Sequence, residues 1–397
     1  MKTRVFFSIG FAGLVALSLV PANSFAVSTC EDEEAAGDSA LSDNNDGEAA
    51  AVYLMTNQVP NAIKIFARGH NGNLIPGGMV ATGGDGNPVP QAGDPPTDPL
   101  ASQGSLVLSE GKRFLFAVNA GSNDISVFRV GPRGLTLTDR APSGGMRPIS
   151  LAVHGNFLYV LNEGGTPNIT GFRFSNQGQL TSLANSTEPL SGDAMPDPAE
   201  VAFTPRGDVL VVTEKHSNNI DAYILGDGGI PTGGPTVTAS NGQTPFGFGF
   251  DGCANLIVSE AMGGMPDAAA LSSYHFRPNG NLDVTSGSVP DNQTAACWIV
   301  ISNRSRFAYT TNTGSGTVSS YRIQSGGVLT LANSVAADLG MGSAPIDMAL
   351  EKTGRFLYVH AAGAQEIKVL RIASDGTLTL VSSTGGLPMG AQGIAAR

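Results

Sequence analysis

The chain has 397 residues, of which 52 are glycine and 24 are proline, and its formal net charge at pH 7 is −11. An acidic body with scattered lysines and arginines argues against a nucleic-acid-binding protein. No apolar run reaches the ~20 residues of a membrane-spanning helix, so we expect no transmembrane helix.

Residues 1–26 have the organisation of an export signal. Lys2 and Arg4 precede an apolar run from Val5 to Val20, and small residues lie near position 26. This pattern predicts a signal peptide and therefore a secreted or periplasmic protein. Two alternatives stay open: a buried N-terminal helix, and lipid anchoring through Cys30, because residues 27–29 faintly resemble a lipoprotein box.

Residues 27–50 carry eight acidic side chains and no basic one. So little apolar surface cannot order a segment, which predicts a disordered, solvated tether, with cation binding as the alternative. The total charge is −11, and the signal accounts for +2 and the tether for −8, which leaves −5 on residues 51–397.

From residue 51 onward one pattern recurs, and its clearest copy is Phe356 to Leu380. Three apolar runs alternate with short polar or glycine turns, and a fourth run, Pro345 to Leu350, lies just upstream. Apolar runs punctuated by tight turns predict four antiparallel strands.

The unit can be laid over the chain seven times, with steps of 43 to 62 residues between the ends of its second strands. Those ends fall at Asn57, Asn119, Asn162, Glu214, Glu260, Asn312 and Ala361. Four strands in such a period predict an all-β, seven-bladed propeller over residues 51–397. The first copy lacks an inner strand, and Ala391 to Ala396 resembles the start of the inner strand that we expect at Ala101 to Leu108. We therefore expect Ala391 to Ala396 to pair beside Val52 to Thr56 and close the ring.

Two excursions interrupt the rhythm, Gly83 to Pro99 and Ala261 to Leu271. Long loops on such scaffolds are frequent binding elements, and plain surface excursions are as common. Cys253 in a turn of blade five and Cys297 on the inner strand of blade six predict a disulfide between adjacent blades. The alternative is that they are two small buried residues.

Three stretches carry a family resemblance: FLYVLNEGG at Phe157 to Gly165, RFAYTTNTGSGTVSSY at Arg306 to Tyr321, and SDGTLTL at Ser374 to Leu380. They resemble the repeats of the seven-bladed lactonase propellers, the family of 6-phosphogluconolactonase and carboxy-muconate lactonizing enzymes, related to YVTN-repeat propellers. The resemblance implies the propeller fold and chemistry on a small lactone or its open acid.

The resemblance also implies site positions. The family has Pro-Arg-His opening an inner strand and Asn-Glu closing the next strand. Asn162 and Glu163 keep the second pair, whereas Ile149 and Ser150 stand at the arginine and histidine positions. The residues equivalent to Ser150 in blades four to seven are Glu200, Gly247, Trp298 and Asp347.

Inner strands begin where second strands end, so these polar residues are expected to face one mouth of the ring. Besides Arg147 and His360, the expected site comprises catalytic carboxylates (Glu163, Glu200, Glu214) and ligand-binding residues (Ser150, Lys215, Glu260, Trp298, Asn312, Asp347). Converging carboxylates could act as a general acid or base, or hold Ca²⁺. The alternatives are turn-end polar groups that cap strands and hold water, and core packing for Trp298.

Two functional hypotheses follow. The first is an exported lactonase-like enzyme, with Arg147 and Lys215 replacing the missing family cations. The second is a non-catalytic exported propeller that binds a small molecule, a cation or a protein partner at an acidic mouth. We expect a monomer without a required cofactor. His216 and His360 have no cysteine or histidine partner at ligand spacing, which argues against a transition-metal site.

Overall fold

The computed structural model describes Met1, residues 50–91 and residues 93–397. The predicted signal peptide and tether therefore lie outside the described residues, apart from Met1 and Ala50. Within the described ranges the protein has 29 strands and three short 3₁₀ turns, at Asp227–Gly229, Met262–Gly264 and Ser325–Gly327. None of the described helices is long and apolar enough to cross a membrane.

The strands form seven antiparallel sheets, the blades, arranged as a ring. Blade one contains β1 (Ala51–Met55), β2 (Ala62–Arg68), β3 (Leu74–Ala81) and β29 (Gln392–Ala396). Blade two contains β4 (Leu106–Leu108), β5 (Phe114–Asn119), β6 (Asp124–Gly131) and β7 (Gly134–Pro142). Blade three contains β8 (Met146–His154), β9 (Phe157–Gly164), β10 (Asn168–Phe174), β11 (Leu180–Ser182) and the short β12 (Glu188–Pro189). Blade four contains β13 (Pro198–Phe203), β14 (Val209–Glu214), β15 (Asn219–Ile224) and β16 (Thr236–Ala239).

The remaining three blades follow in chain order. Blade five contains β17 (Pro245–Phe250), β18 (Leu256–Glu260), β19 (Ala270–Phe276) and β20 (Leu282–Pro290). Blade six contains β21 (Ala296–Ile301), β22 (Phe307–Asn312), β23 (Thr317–Ile323) and β24 (Leu329–Asp338). Blade seven contains β25 (Pro345–Leu350), β26 (Phe356–Ala361), β27 (Glu366–Ile372) and β28 (Leu378–Thr384). The predicted fold, seven four-stranded blades, is confirmed.

The C-terminal strand closes the ring, as predicted. β29 pairs antiparallel with β1, with Val52 opposite Ala396 and Leu54 opposite Ile394. All five residues of β29 are buried. Without this strand, blade one would expose the backbone edge of β1 to solvent.

Burial falls from the second strand of a blade outward. Every residue of β14, β18, β22 and β26 is buried, whereas most residues of the outer strand β28 are partly or fully exposed. A second strand packs against neighbouring blades on both faces, so it reads as a continuous apolar run rather than an alternating one.

The tyrosine of the repeat links adjacent blades. Tyr159, Tyr309 and Tyr358 occupy equivalent positions on second strands and are fully buried. Their hydroxyls donate to backbone carbonyls of the next blade's outer turn, at Gly229, Gly376 and Gly72, over 2.7, 3.0 and 3.2 Å. A buried phenol needs such an acceptor, which explains why the repeat keeps an aromatic residue with a polar tip.

The predicted disulfide between Cys253 and Cys297 is wrong, because Cys297 is a free, buried thiol. β17 separates the two residues along the ring axis: Cys253 follows its last residue, while Cys297 lies beside the mouth end of the next inner strand. Six residues of strand span about 20 Å, far beyond the ~7 Å between Cα atoms that a disulfide allows.

Candidate functional site

A bulge recurs at the mouth end of the inner strands. The register with the second strand shifts between Pro148 and Ser150, Pro198 and Glu200, Pro245 and Phe248, Ala296 and Ile299, and Ile346 and Met348. Ser150, Glu200, Gly247, Trp298 and Asp347 therefore lie within a bulge or at its edge, where the direction of a side chain changes. The sequence repeat therefore located a real structural position.

Three of these side chains form the channel ring, defined as Ser150, Glu200 and Asp347. Each accepts a backbone N–H from the inner strand of the next blade: Ser150 Oγ from Val201 at 3.1 Å, Glu200 Oε2 from Phe248 at 2.6 Å, and Asp347 Oδ2 from Ile394 at 3.1 Å. All three are at least 94% buried. These three hydrogen bonds connect adjacent blades.

The segment Asp98 to Gln103, here called the plug, lies across the mouth side of the ring. The Ser102 hydroxyl donates to the Ile149 carbonyl of blade three at 2.9 Å, and the Gln103 N–H donates to Ala199 of blade four at 3.1 Å. On the other side, Trp298 Nε1 of blade six donates to the Ser102 carbonyl at 3.1 Å. Bonds to blades on both sides place the plug across the ring centre.

The plug replaces part of a predicted strand. We expected the inner strand of blade two to start near Ala101, but β4 contains only Leu106–Leu108. Gln103 takes the place of the side chain that blade five lacks at Gly247. Its Oε1 accepts the Ile299 N–H of blade six at 3.0 Å. A Cβ on Gly247 would lie 2.2 Å from that oxygen, so only glycine leaves room for the plug.

Three predicted site residues at second-strand ends make hydrogen bonds within their own blade or to the segment that leads into it. Glu214 Oε1 accepts from the Ser191 N–H at 3.0 Å, and its Oε2 from the Ser191 hydroxyl at 2.7 Å. Glu260 accepts at both oxygens too, from the Gly242 N–H and the Ser288 hydroxyl. Asn312 donates to Ser319 Oγ at 2.7 Å. Hydrogen bonds therefore occupy these polar groups in three different blades, and their convergence at one acidic mouth stays a prediction.

Trp298 and His360 are also withdrawn from solvent. Trp298 is 1% exposed and packs on Phe246, with ring centroids 4.7 Å apart. His360 is fully buried, its ring nitrogens find no hydrogen-bond partner among the described residues, and burial lowers its pKa to about 3. Both side chains occupy core positions.

The charged side chains that remain at the mouth form one group, the mouth cluster, defined as Asp94, Arg147, Glu163, Asp197 and Lys215. In blade three, Arg147 Nε lies 2.6 Å from Glu163 Oε2. In blade four, Lys215 Nζ lies 3.1 Å from Asp197 Oδ1. Adjacent blades thus carry ion pairs of opposite orientation.

Carbonyl groups of the plug accept hydrogen bonds from both Arg147 and Lys215. Lys215 Nζ donates to the carbonyls of Ala101 at 2.8 Å and Pro198 at 3.0 Å, besides its ion pair. An ammonium has three N–H donors, so Lys215 is saturated. Arg147 donates to the Pro99 carbonyl at 2.6 Å and to Glu163. A guanidinium has five N–H donors, so Arg147 keeps donors for another acceptor.

Glu163 differs from the other predicted catalytic carboxylates. Its Oε2 binds Arg147, and no described residue donates a hydrogen bond to its Oε1. Glu200 and Glu214 accept at both oxygens. Burial raises the pKa of Glu163, although Lys215 and Arg147 lower it in part. The mouth cluster therefore contains a carboxylate oxygen that can take a proton, beside a cation with spare donors.

Sequence reasoning missed Asp94, Asp98 and Asp197. The residue that follows the end of each second strand nevertheless indicates where the mouth cluster lies. That residue is Glu163 in blade three and Lys215 in blade four, but Ala120, Ala261, Thr313 and Ala362 in blades two, five, six and seven. Charge at this repeat position marks the corner between blades three and four.

The described residues contain no group of acidic side chains that matches the expected Ca²⁺ site. Within residues 50–91 and 93–397, no three His, Cys, Asp or Glu side chains are grouped to hold a metal ion. The carboxylates expected to bind Ca²⁺ instead accept hydrogen bonds in separate blades.

The ring of seven blades and its charged mouth define a propeller with a polar site at one end. A family model described as a lactonase, seven-bladed β-propeller, matches residues 89–192 and 261–391, more than half of the chain. The chain therefore belongs to this lactonase family. Arg147 and Glu163 lie within the matched residues, whereas Asp197 and Lys215 lie outside them. No curated protein matches the chain.

Several solved structures share the fold. A candidate 6-phosphogluconolactonase from Bacteroides fragilis superposes with a TM-score of 0.68 at 16% identity, over 89% of this chain and 98% of that one. A periplasmic gluconolactonase from Pseudomonas aeruginosa gives 0.65 at 14% identity, over 88% and 99%. Identities this low establish similarity of fold alone.

Proposed function

We propose that the protein is a hydrolase that opens small, sugar-derived lactones at the mouth cluster. The observation that carries the proposal is the free Oε1 of Glu163, next to the spare N–H donors of Arg147. Family membership and the fold shared with a periplasmic gluconolactonase support this choice of substrate class.

The reaction begins with a water molecule between Glu163 and the lactone carbonyl carbon. Glu163 Oε1 takes a proton from the water as the water oxygen bonds to that carbon, and the carbonyl electrons move onto its oxygen. The Arg147 guanidinium donates hydrogen bonds to this oxyanion. When the oxyanion collapses, the ring C–O bond breaks and Glu163 returns its proton to the departing alkoxide. The product is the open hydroxy acid, and the reaction needs no cofactor.

The other charged residues have supporting roles. Lys215 raises the local positive potential without donating to the substrate, because all its N–H groups are taken. Asp94 is partly exposed, and burial raises its pKa while the nearby charges of Lys215 and Arg147 oppose that rise. Burial of Glu163 raises its pKa, so activity should increase as pH rises through that value and the base loses its proton.

The test is hydrolysis of a panel of aldonolactones, followed by acid release in a pH-stat. Glu163→Gln should reduce kcat/KM by about 100-fold, in the range by which a general base contributes. Glu110→Gln is the matched control, because Glu110 is 58% exposed and lies at the opposite end of the inner strands. Equal activity in Glu163→Gln and wild type would overturn the assignment of the base.

One observation favours a second candidate, a non-catalytic exported propeller that binds a ligand or partner at the mouth. The carbonyls of Pro99 and Ala101 already occupy Arg147 and Lys215, as the carbonyl of a bound ligand would. Absence of hydrolysis across the panel, with saturable binding of an aldonate to the wild type, would select this candidate.

Export is part of the proposal for either candidate. It rests on the composition of residues 1–26 and on the periplasmic location named for the similar Pseudomonas aeruginosa structure. We also propose that the protein acts as a monomer.

A further inference from the structure

Beneath the plug, the ring encloses a cavity of ≈ 320 Å³. Gln103, Glu200 and Asp347 line one end of this cavity, where the inner strands begin. Leu108, Val153 and Phe203 line the other end, close to where the inner strands finish. Since the plug covers the mouth side, the open approach is from the face opposite the mouth cluster.

The plug end of the cavity contains two acidic side chains and no basic side chain that could neutralise them. Glu200 and Asp347 are 6% and 5% exposed, and each of their oxygens accepts one hydrogen bond. A carboxylate offers about four lone-pair sites, so both groups can accept more. No Lys, Arg or His is among the residues that line the cavity. Two buried carboxyl groups without a basic neighbour must either hold a proton or face a positively charged occupant.

The remaining wall is apolar. Leu106, Leu151, Val201, Met348 and Ile394 surround the channel below the two carboxyl groups. This wall cannot provide the six to eight oxygen ligands that replace the hydration shell of Ca²⁺. An organic ammonium suits it better, because its charged end needs only a few acceptors and its hydrocarbon part contacts the apolar strands. The volume is at the low end of small-molecule sites.

We propose that this cavity binds a small primary ammonium compound with one compact apolar group, whose nitrogen lies between Glu200 and Asp347. The ligand enters from the face opposite the mouth cluster, so this site is separate from the proposed lactone site. Each ammonium N–H finds an acceptor there, in Glu200, Asp347 or the Gln103 side-chain oxygen.

Proton linkage supports the proposal. Burial raises the pKa of Asp347 to about 7 and that of Glu200 well above its usual range, and the charge of Asp347 raises the pKa of Glu200 further. Asp98 is the other acid facing Asp347, and burial raises its pKa to about 7 as well. An ammonium favours the ionised carboxyl groups, so it binds with release of protons and more tightly at pH 8 than at pH 6.

Isothermal titration of the full-length protein with benzylamine tests this proposal, with benzyl alcohol as the uncharged analogue. At pH 8 we expect benzylamine to bind at least 30-fold more tightly than benzyl alcohol, and its affinity to fall about 10-fold at pH 6. Titration in buffers of different ionisation enthalpy should show proton release. Equal affinities for the two compounds, or no binding of benzylamine at millimolar concentration, would overturn the proposal.

Variants locate the site. Asp347→Asn and Glu200→Gln should each weaken benzylamine binding about 10-fold, whereas Glu163→Gln should leave it unchanged. Loss of binding in Glu163→Gln instead would place the amine at the mouth cluster and contradict the proposal. Ala202→Phe narrows the open end without touching a carboxyl group, so it tests the site even if an acid variant fails to fold. Unchanged binding in Ala202→Phe would contradict entry from that face.

Discussion

Removal of the closing strand is the perturbation that should affect this fold most. A chain that ends at Ala391 lacks β29, which pairs with β1 along one edge of blade one. The truncated ring would expose the backbone of β1 and open the contact between blades one and seven.

The structure gives the size of the effect. Ile394 is 4% exposed, and removal of a buried side chain of this size costs about 2–5 kcal/mol. The strand also loses its bonds to β1, the Ile394 N–H bond to Asp347, and the bonds from Lys112 to Ala396 and from Arg397 to Ala51. At about 1 kcal/mol each, these bring the loss to roughly 10 kcal/mol. This is comparable with the whole stability of a typical domain, 5–15 kcal/mol.

Urea unfolding followed by tyrosine and tryptophan fluorescence would measure this loss. We expect the truncated chain to be unfolded or to unfold at much lower urea, and a synthetic peptide of residues 388–397 to restore part of its stability. Because the peptide supplies only the missing strand, its rescue separates ring closure from a general effect of truncation. A truncated protein with the midpoint of the full chain would refute ring closure through β29.

Three further measurements test the signal peptide, the buried carboxyl group of Asp221 and the buried thiol of Cys297. N-terminal sequencing of exported protein should find a start near Val27, and a start at Met1 would contradict the signal peptide. Asp221 lies buried beside Glu214, and burial first, then this neighbour, raises its pKa to about 8. Since the folded state holds that proton more tightly, stability falls as pH rises from about 4 to about 8, and Asp221→Asn should flatten the fall; an unchanged slope of melting temperature against pH would contradict this reasoning. Burial also raises the pKa of the Cys297 thiol to about 12, so iodoacetamide should modify it only after unfolding, and mass spectrometry that finds it labelled in the native protein would disprove its burial.

The fold was predictable because each blade repeats a local pattern. The apolar second strand that ends in a polar residue placed the strand ends at Asn119, Glu214 and Asn312 where the structure has them. Ring closure followed from the missing inner strand of the first repeat. These features depend on neighbouring residues, which a single sequence displays directly.

The roles of the polar residues were harder to predict, because a shift of one position along a strand turns a side chain to the opposite face. Glu214 ends its strand and faces its own blade, whereas Lys215, one residue later, belongs to the mouth cluster. Glu163 occupies in blade three the position that Lys215 occupies in blade four. The sequence analysis placed Glu163, Glu214 and Lys215 together at one mouth, without this distinction.

The plug was not predictable, since Gln103 contacts Ile299, 196 residues away, and no local pattern marks such a contact. Its trace in the sequence is the glycine at position 247, where other blades carry Ser150, Glu200 or Asp347. A glycine in a repeat position that otherwise carries a side chain indicates that another group fills that space.

A parallel comparison of Glu163→Gln and Glu200→Gln in the hydrolysis of one aldonolactone turned over by the wild type would show directly where the chemistry takes place. We expect a loss of about 100-fold in kcat/KM for Glu163→Gln with an unchanged melting temperature. For Glu200→Gln we expect a change within 3-fold, together with a shifted melting temperature, because that side chain joins blades four and five. A large loss of activity in Glu200→Gln with full activity in Glu163→Gln would instead place the chemistry at the channel ring and not at the mouth cluster.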